Sequence, residues 1–320
     1  MSSNFGKNIT FSVFGQSHSE GIGVVIDGLP AGERIDVQRV REFMARRAPG
    51  NHEGDTPRRE PDIPHVLSGM VDNVTCGAPL CAVIGNNDTR PGDYEKLRST
   101  PRPGHADYPL QVKYQGFHDI RGGGHSSGRL TAPLCFAGAV CIQILERKGV
   151  SLCACAIEIG DVKAARLSGD SVGGIIECVA EGLPAGLGVP MFEGVENRMS
   201  AAIFGIPAVR GIEFGVGFAA ARMTGSAHND PYVIENGGVR TETNHHGGVL
   251  GGITTGMPLV FRVAIKPTPS IAVTQKTVDI AQMKTAEIAI GGRHDACIVP
   301  RAVPVVEAVA ACVLLDIFMD

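Results

Sequence analysis

Three short segments of this chain concentrate residue types that move protons or hold anions. Gly15-Gln16-Ser17-His18-Ser19 closes an apolar run and enters a turn, which displays His18 at a rim instead of burying it in a core. An imidazole with an ordinary pKa near ~6.5 suits proton donation to a leaving group, although a surface turn also carries histidines with no role. Arg102-Pro103-Gly104-His105-Ala106-Asp107 is a second stiff turn that brings an imidazole near a guanidinium and a carboxylate, or else an ordinary exposed loop. The strongest signal is Arg121-Gly122-Gly123-Gly124-His125-Ser126-Ser127-Gly128-Arg129-Leu130-Thr131-Ala132-Pro133. Glycines, hydroxyls, arginines and a following helix supply free backbone N–H groups, a dipole end and positive charge, the combination that binds phosphate. No Gly-Lys-Ser/Thr follows, so the segment is not a P-loop.

Four further segments read more weakly. Arg46-Arg47 at the end of a helical stretch, with Arg58-Arg59 beyond it, can hold carboxylates bidentately, or can simply complement a helix end and face water. Lys266-Pro267-Thr268-Pro269-Ser270 is a stiff loop with hydroxyls and one cation, and Gly292-Arg293-His294-Asp295-Ala296-Cys297 offers a carboxylate ahead of the last helix. Asn244-His245-His246 invites a metal reading, yet adjacent histidines point apart and no nearby carboxylate completes a ligand set, so no metal is expected.

These turns need a scaffold, and self-similarity indicates which. Residues 15–32 and 169–186 agree at nine of eighteen positions, both ending Gly-Leu-Pro-Ala-Gly, and 69–80 matches 248–259 at Gly, Thr, Gly, Pro and Leu. The offsets differ, 154 then 179, but the order is kept. A duplicated unit is expected, with pseudo-repeat halves 9–149 and 150–320 in one domain spanning 1–320. In the second copy Val172 stands where His18 stands in the first, so the scaffold does not require that imidazole. Apolar runs predict strands over 9–14, 23–26, 150–157, 174–179, 211–217 and 259–265. Asp36 can cap a helix over 37–47, and two helices over 133–148 and 304–318, each begun by a proline, are apolar on nearly every side and belong between layers. Paired strands with isolated helices argue an α+β fold, an internally duplicated β-α-β sandwich with mainly antiparallel sheets.

Composition sets the outer bounds. At 320 residues, 43% hydrophobic and 19% charged, the chain is neither disordered nor fibrous. Its 42 glycines exceed ordinary usage of ~7% and call for tight turns and close backbone approaches. Lys+Arg 29 against Asp+Glu 33 leaves −4, so no global field draws nucleic acid or an anionic membrane. Nine cysteines without paired Cys-x-x-Cys spacings suit a reducing compartment. The sequence opens without a signal pattern, and Glu307 and Asp316 interrupt the apolar stretch near the C-terminus, so a soluble, cytoplasmic protein is expected.

Taken in order, segments 15–19, 46–50, 58–60, 102–108, 121–129, 244–252, 266–271, 292–297 and 301–304 resemble the chorismate synthase family over essentially the whole chain. The resemblance implies a lyase that converts 5-enolpyruvylshikimate 3-phosphate to chorismate and phosphate by 1,4-anti elimination. It implies reduced FMN (FMNH2) as cofactor without net redox change, NADPH as a candidate external reductant, and a homotetramer with helices between two antiparallel sheets. No Gly-x-Gly-x-x-Gly follows a strand, so no nicotinamide site is legible. Carried over residue by residue, His18 protonates the departing phosphate, His105 serves the flavin pyrimidine edge, and Asp295 with Ser17 and Ser127 relays the proton at flavin N5. Flavin contacts fall to His125, Ser126, Ser127, Pro207, Ala208, Gly251, Lys266, Pro267, Thr268, Pro269, Ser270 and Arg293, and substrate contacts to Arg46, Arg47 and Arg129.

The chain departs from the family pattern at Ser19 for glycine, His125 for arginine, Gly128 for alanine, Leu130 for glutamate and Glu53 for arginine, and it is shorter around 150–200. Two other classes stay open on sequence: a flavin oxidoreductase, which would consume reducing equivalents, and a binding protein without turnover. Permanently charged arginines in place of His18 and His105 would suit pure binding better.

Overall fold

Apolar runs bounded by glycines make the first hairpin, with Gly15 closing one strand and Gly21 opening the next. The computed structural model describes residues 3–50, 60–88, 94, 97–291 and 295–320. The first half runs β1 (Asn4–Phe5), β2 (Thr10–Gly15), β3 (Gly21–Asp27), α1 (Val37–Ala45), β4 (His65–Ser68), a small hairpin β5 (Met70–Val71) and β6 (Val74–Thr75), β7 (Leu80–Gly85), α2 (Asp107–Lys113) and α3 (Thr131–Arg147). The second runs β8 (Ser151–Ile159), α4 (Val162–Ser168), β9 (Gly174–Glu181), α5 (Val195–Ile203), β10 (Val209–Phe214) and α6 (Gly225–His228). It continues with hairpins β11 (Tyr232–Glu235) to β12 (Gly238–Thr241) and β13 (Val249–Leu250) to β14 (Ile253–Thr254), then β15 (Leu259–Ile265), hairpin β16 (Gln275–Asp279) to β17 (Lys284–Ile288), and α7 (Val299–Phe318).

One antiparallel sheet has the order β1-β2-β3-β7-β4 and the other β10-β15-β9-β8. Helix α3 packs on β2, β3 and β7, α7 packs on β8 and β9, and the two helices pack on each other, with α1 beside α3 and α5 beside α7. The result is the expected α+β sandwich with helices between two sheets. Helices this apolar have no face suited to water, so only a position between layers buries them. At their crossing a Cβ on Gly138 would lie 2.2 Å from Cα of Ala308, so any larger residue would force the helices apart. The stretch Arg121–Arg147 is long and apolar enough to cross a membrane, but its most apolar window is 83% buried inside the fold, as a core helix is.

The order β2-β3-β7-β4 in one sheet reappears as β8-β9-β15-β10 in the other. The fastenings repeat as well. Thr75 Oγ1 donates to Pro30 O at 2.6 Å and Gly32 N to Thr75 O at 2.8 Å. Thr254 Oγ1 donates to Pro184 O at 2.7 Å and Gly186 N to Thr254 O at 2.9 Å. The two Gly-Leu-Pro-Ala-Gly turns are thus each pinned by a threonine from the small hairpin of the same half.

Several bounds differ from the sequence expectation. The Asp36 carboxylate caps α1 by accepting from Gln38 N and Arg39 N at 2.9 and 3.2 Å, and the helix ends at Ala45. Helix α7 begins at Val299, with Pro300 in its first turn, where the N–H has no intrahelical acceptor. Pro304 is therefore an interior residue that omits one helical hydrogen bond, not the helix start. Strands β1, β4 and β7 of the first sheet escape the sequence reading, as do the strands of the small hairpins. The β7 run Leu-Cys-Ala-Val-Ile-Gly is apolar without period, and its cysteine and alanine favour neither element.

Candidate active site

The triple glycine ahead of α3 is bare because side chains from elsewhere press against it. Gly122, Gly123 and Gly124 have φ of +58°, +85° and +55°, a region that L side chains seldom enter. A Cβ on Gly122 would stand 2.5 Å from Ser17 Oγ and 2.6 Å from His18 Cε1. A Cβ on Gly123 would stand 3.1 Å from both Cε1 and Nε2 of His105 and 4.0 Å from Ser127 Cβ. Ser17 N donates to Gly124 O at 3.1 Å, which ties the β2–β3 turn to this loop. His18 and Ser17 are buried, His18 Nδ1 lies 3.2 Å from Ser17 Oγ, and the His18 ring meets Tyr94 edge-on with centroids 5.0 Å apart.

The turn carrying His105 is braced from within. Asp107 Oδ1 lies 2.6 Å from His105 Nδ1. Arg102 donates from its backbone N and Nε to Asp107 Oδ2 at 3.0 and 2.8 Å, and from Nη2 to Oδ1 at 2.8 Å. Burial pushes the Asp107 pKa up, but the hydrogen bonds from Arg102 and His105 and their charges outweigh it and hold the carboxyl well below its ordinary range.

From here a chain of contacts leads to the second half. Arg102 Nη1 donates to Ser270 Oγ at 3.0 Å, Lys266 Nζ donates to Gly104 O, and Lys266 N donates to Ala208 O at 3.0 Å. Burial, with Arg210 nearby, lowers the Lys266 pKa. Thr268 Oγ1 donates to the carbonyl of Asp295 at 2.9 Å. Arg301 donates to Asp295 Oδ1 at 2.9 Å and to Arg47 O at 3.0 Å. The structure therefore joins Ser17, His18, Ser127, His105, Ser270, Thr268, Lys266, Ala208 and Asp295 through one glycine-rich junction between the halves.

Arg47 and Arg129 meet on an acid that the sequence reading missed. Both donate to the carboxylate of Asp62, and Arg129 Nε also donates to Asn86 Oδ1 and Arg47 Nε to Thr131 Oγ1, at 2.9 and 3.0 Å. All three charged side chains are at most 5% exposed. Burial alone would raise the Asp62 pKa; the two guanidinium groups lower it. Asp62 and Arg129 stand 67 residues apart, and no local spacing links them.

Other predicted residues lie elsewhere or are already engaged. Arg46 turns away from the glycine loop and forks onto Glu307 at 3.0 and 2.9 Å, while Glu307 Oε2 also accepts from Ala154 N at 3.2 Å. It lines a separate cavity of about 540 Å³ with Glu42, Cys155 and Pro304. His125 has Nδ1 2.7 Å from Gly15 O and Nε2 2.8 Å from Ser3 Oγ, so both ring nitrogens have partners within the protein. Ser126 is exposed, and a Cβ on Gly251 would meet nothing within 4 Å. Glu53, Arg58, Arg59 and Arg293 lie outside the described residues.

His245 and His246 do have a carboxylate beside them, contrary to the sequence reading. Their Nδ1 atoms lie 3.4 and 2.8 Å from Asp230, fifteen and sixteen positions earlier in the chain. Even so, among the described residues no group of three or more His, Cys, Asp or Glu is placed to hold a metal ion.

The family model described as chorismate synthase matches residues 9–165 and 160–319. Chorismate synthase of Thermococcus gammatolerans is 47% identical over 342 aligned positions, covering 97% of this chain and 96% of the relative. That of Chitinophaga pinensis is 49% identical over 323 positions, covering 99% and 96%. A crystal structure of chorismate synthase superposes with a TM-score of 0.76 at 25% identity, over 98% of this chain and 92% of that one.

Proposed function

This chain belongs to the chorismate synthase family, and on that premise we propose how its own residues divide the labour of the reaction. It is a carbon–oxygen lyase of aromatic amino acid biosynthesis that eliminates phosphate from 5-enolpyruvylshikimate 3-phosphate to give chorismate, and its family works with reduced FMN. One observation carries the division of roles: His18 and His105 abut adjacent glycines of one loop.

The junction fits a flavin. Glycine backbone lies bare beside His18, His105 and Ser127, and the turn that carries His105 is joined to Ser270 and the Lys266 ammonium of the second half. Reduced FMN, when bound, supplies electron density to the breaking C–O bond and a site for the hydrogen lost from C6. Ser126, Ser127, Pro207, Ala208, Gly251, Lys266, Pro267, Thr268, Pro269 and Ser270 form its contact surface. His125 is omitted because both its nitrogens serve the protein.

His18 gives the proton to the departing phosphate from Nε2, since Nδ1 is directed to Ser17. His105 presents Nε2 to the cofactor. Asp295, steadied by Arg301, is the basic group of the site, and Ser17 and Ser127 are hydroxyls able to pass its proton on. Arg47 and Arg129 form the cationic wall toward the anionic substrate, fixed by Asp62. Arg46 is assigned to the fold instead.

The protein works as a cytoplasmic homotetramer without nucleic-acid or membrane partners, a reading supported by its net charge of −4 and its kinship to soluble metabolic enzymes. NADPH, where it is used, reduces the flavin as an external donor. Halves 9–149 and 150–320 derive from one duplicated unit, which the repeated strand order supports.

The test mixes protein, 5-enolpyruvylshikimate 3-phosphate and chemically reduced FMN without oxygen, and measures phosphate and chorismate. Product should form only with reduced flavin, and His18→Ala should lower turnover about 10²–10⁴-fold, the usual worth of a general acid. Net consumption of reducing equivalents, or wild-type turnover in His18→Ala, would count against these roles.

A further inference from the structure

Asp107 has no part in the chemistry assigned to the site, yet it is 4% exposed, charged and saturated with donors. Its Oδ2 accepts from Arg102 N and Nε at 3.0 and 2.8 Å. Its Oδ1 accepts from Arg102 Nη2 at 2.8 Å and faces His105 Nδ1 at 2.6 Å. Arg102 is itself held by Ser270, so the carboxylate cannot swing away from the imidazole. Arg102 Nη2 also lies within hydrogen-bond distance of both ring nitrogens of His105, 3.1 Å from Nδ1 and 3.2 Å from Nε2. The carboxylate oxygen makes the shortest contact to the ring and can only accept, which places the hydrogen on Nδ1, while Cε1 and Nε2 face Gly123.

We propose that Asp107 is a positioning residue for His105: it keeps a hydrogen on Nδ1 and so confines all proton exchange and ligand hydrogen bonding to Nε2, the atom over Gly123. This inference rests on the reading that His105 acts in the reaction. A carboxylate fixes the tautomer and orientation of its partner imidazole because it can only accept a hydrogen bond. Arg102 keeps the carboxylate ionised and in place, so the pair is set before any ligand arrives.

Asp107→Asn discriminates this role from a merely structural one. The amide oxygen is drawn toward Arg102, which supplies two donors to that side, so the amide NH2 faces His105. Nδ1 must then accept, and the hydrogen moves to Nε2, which inverts what the ring offers a ligand. The experiment reads ring nitrogen shifts in 15N-histidine-labelled protein, with His105→Gln identifying the resonances, beside turnover with chemically reduced FMN.

Wild-type protein should show the hydrogen on Nδ1, the nitrogen that faces the Asp107 carboxylate. Asp107→Asn should protonate Nε2 instead and lower kcat by about 10²-fold, the low end for general acid–base groups, with KM little changed. Asp107→Asn combined with His105→Ala should be no slower than His105→Ala alone. An unprotonated Nδ1 in the wild type overturns the proposal without recourse to any variant. Additive losses in the double variant, with His105→Ala itself impaired, overturn only the role of Asp107. Wild-type turnover in His105→Ala overturns the reading of His105 beneath it.

Discussion

A single methyl group at Gly122 should separate catalysis from folding. The Cβ of Gly122→Ala would stand 2.6 Å from His18 Cε1 and 2.5 Å from Ser17 Oγ, against the 3.4 Å at which ordinary contact begins. The imidazole must therefore withdraw by about 0.8 Å, and a displacement of ~1 Å at a reacting group costs about 10²-fold in rate. The φ of +58° adds a left-handed penalty of about 1–2 kcal/mol for alanine. At about 2–4 °C per kcal/mol for a large domain, that penalty amounts to a fall in Tm of roughly 2–8 °C, too small to unfold the protein.

The assay is phosphate release under anaerobic conditions with chemically reduced FMN, beside a thermal melt of the same preparation. Gly128→Ala is the matched control, because a Cβ there meets nothing within 4 Å, although it lies in the same loop. It should keep both turnover and Tm. Wild-type turnover in Gly122→Ala, or an equal loss in Gly128→Ala, would refute the argument that this loop sets the position of His18.

Two further outcomes follow from the charged clusters. Asp62→Ala leaves Arg47 and Arg129 buried without their shared acid and should cost about 3–5 kcal/mol, read as a large fall in Tm. Because the folded-state pKa of Asp62 is lowered, its contribution is present above the unfolded value near ~3.9 and is lost as pH falls through the folded value. Acid melts of Asp62→Ala should accordingly flatten below about pH 4 relative to wild type, and an unchanged acid limb would count against the cluster. Arg46→Gln should lower Tm by stranding the buried Glu307 while leaving KM for the substrate unchanged. A raised KM at unchanged Tm would return Arg46 to the substrate site.

What could be read from sequence was whatever is local. His18, His105 and the glycine loop each lie in a turn whose stiffness and chemistry are written in five to a dozen consecutive residues, and the structure brings all three together. Arg46 and Arg47 show where such reading stops. Consecutive residues at a helix end point about 100° apart, so one fork reaches Glu307, 261 positions away, and the other reaches Asp62. Two identical neighbours thus have different partners, and the packing of α1 against α3, which sets the direction of its C-terminal end, decides which. The partner of His125 is equally illegible, since the Gly15 carbonyl that accepts from Nδ1 comes from the β2 end 110 positions earlier. Strand β7, an interior strand of its sheet, alternates in burial, but its outward positions hold cysteine, valine and glycine in place of polar residues, so the sequence carries no period to mark it.

The comparison of the two halves bears on why His18 is histidine at all. In the first half Ser17 N is fastened to Gly124 O at 3.1 Å, in the segment that precedes α3. In the second half Val172 N, one residue along in the matching turn, is fastened to Ala296 O at 2.9 Å, in the segment that precedes α7. The matching serines differ, since Ser171 Oγ donates to Thr268 O at 2.7 Å while Ser17 Oγ lies 3.2 Å from His18 Nδ1. Backbone bonds of this kind are indifferent to the side chain, and the second turn closes with a valine packed at Gly160, where a Cβ would lie 2.8 Å from Val172 Cβ. The turn therefore forms with or without an imidazole, and the stability of His18→Ala should change little while its turnover falls. A large loss of Tm in that variant would mean that the ring, through Tyr94 or Ser17, braces the loop in addition to serving the reaction.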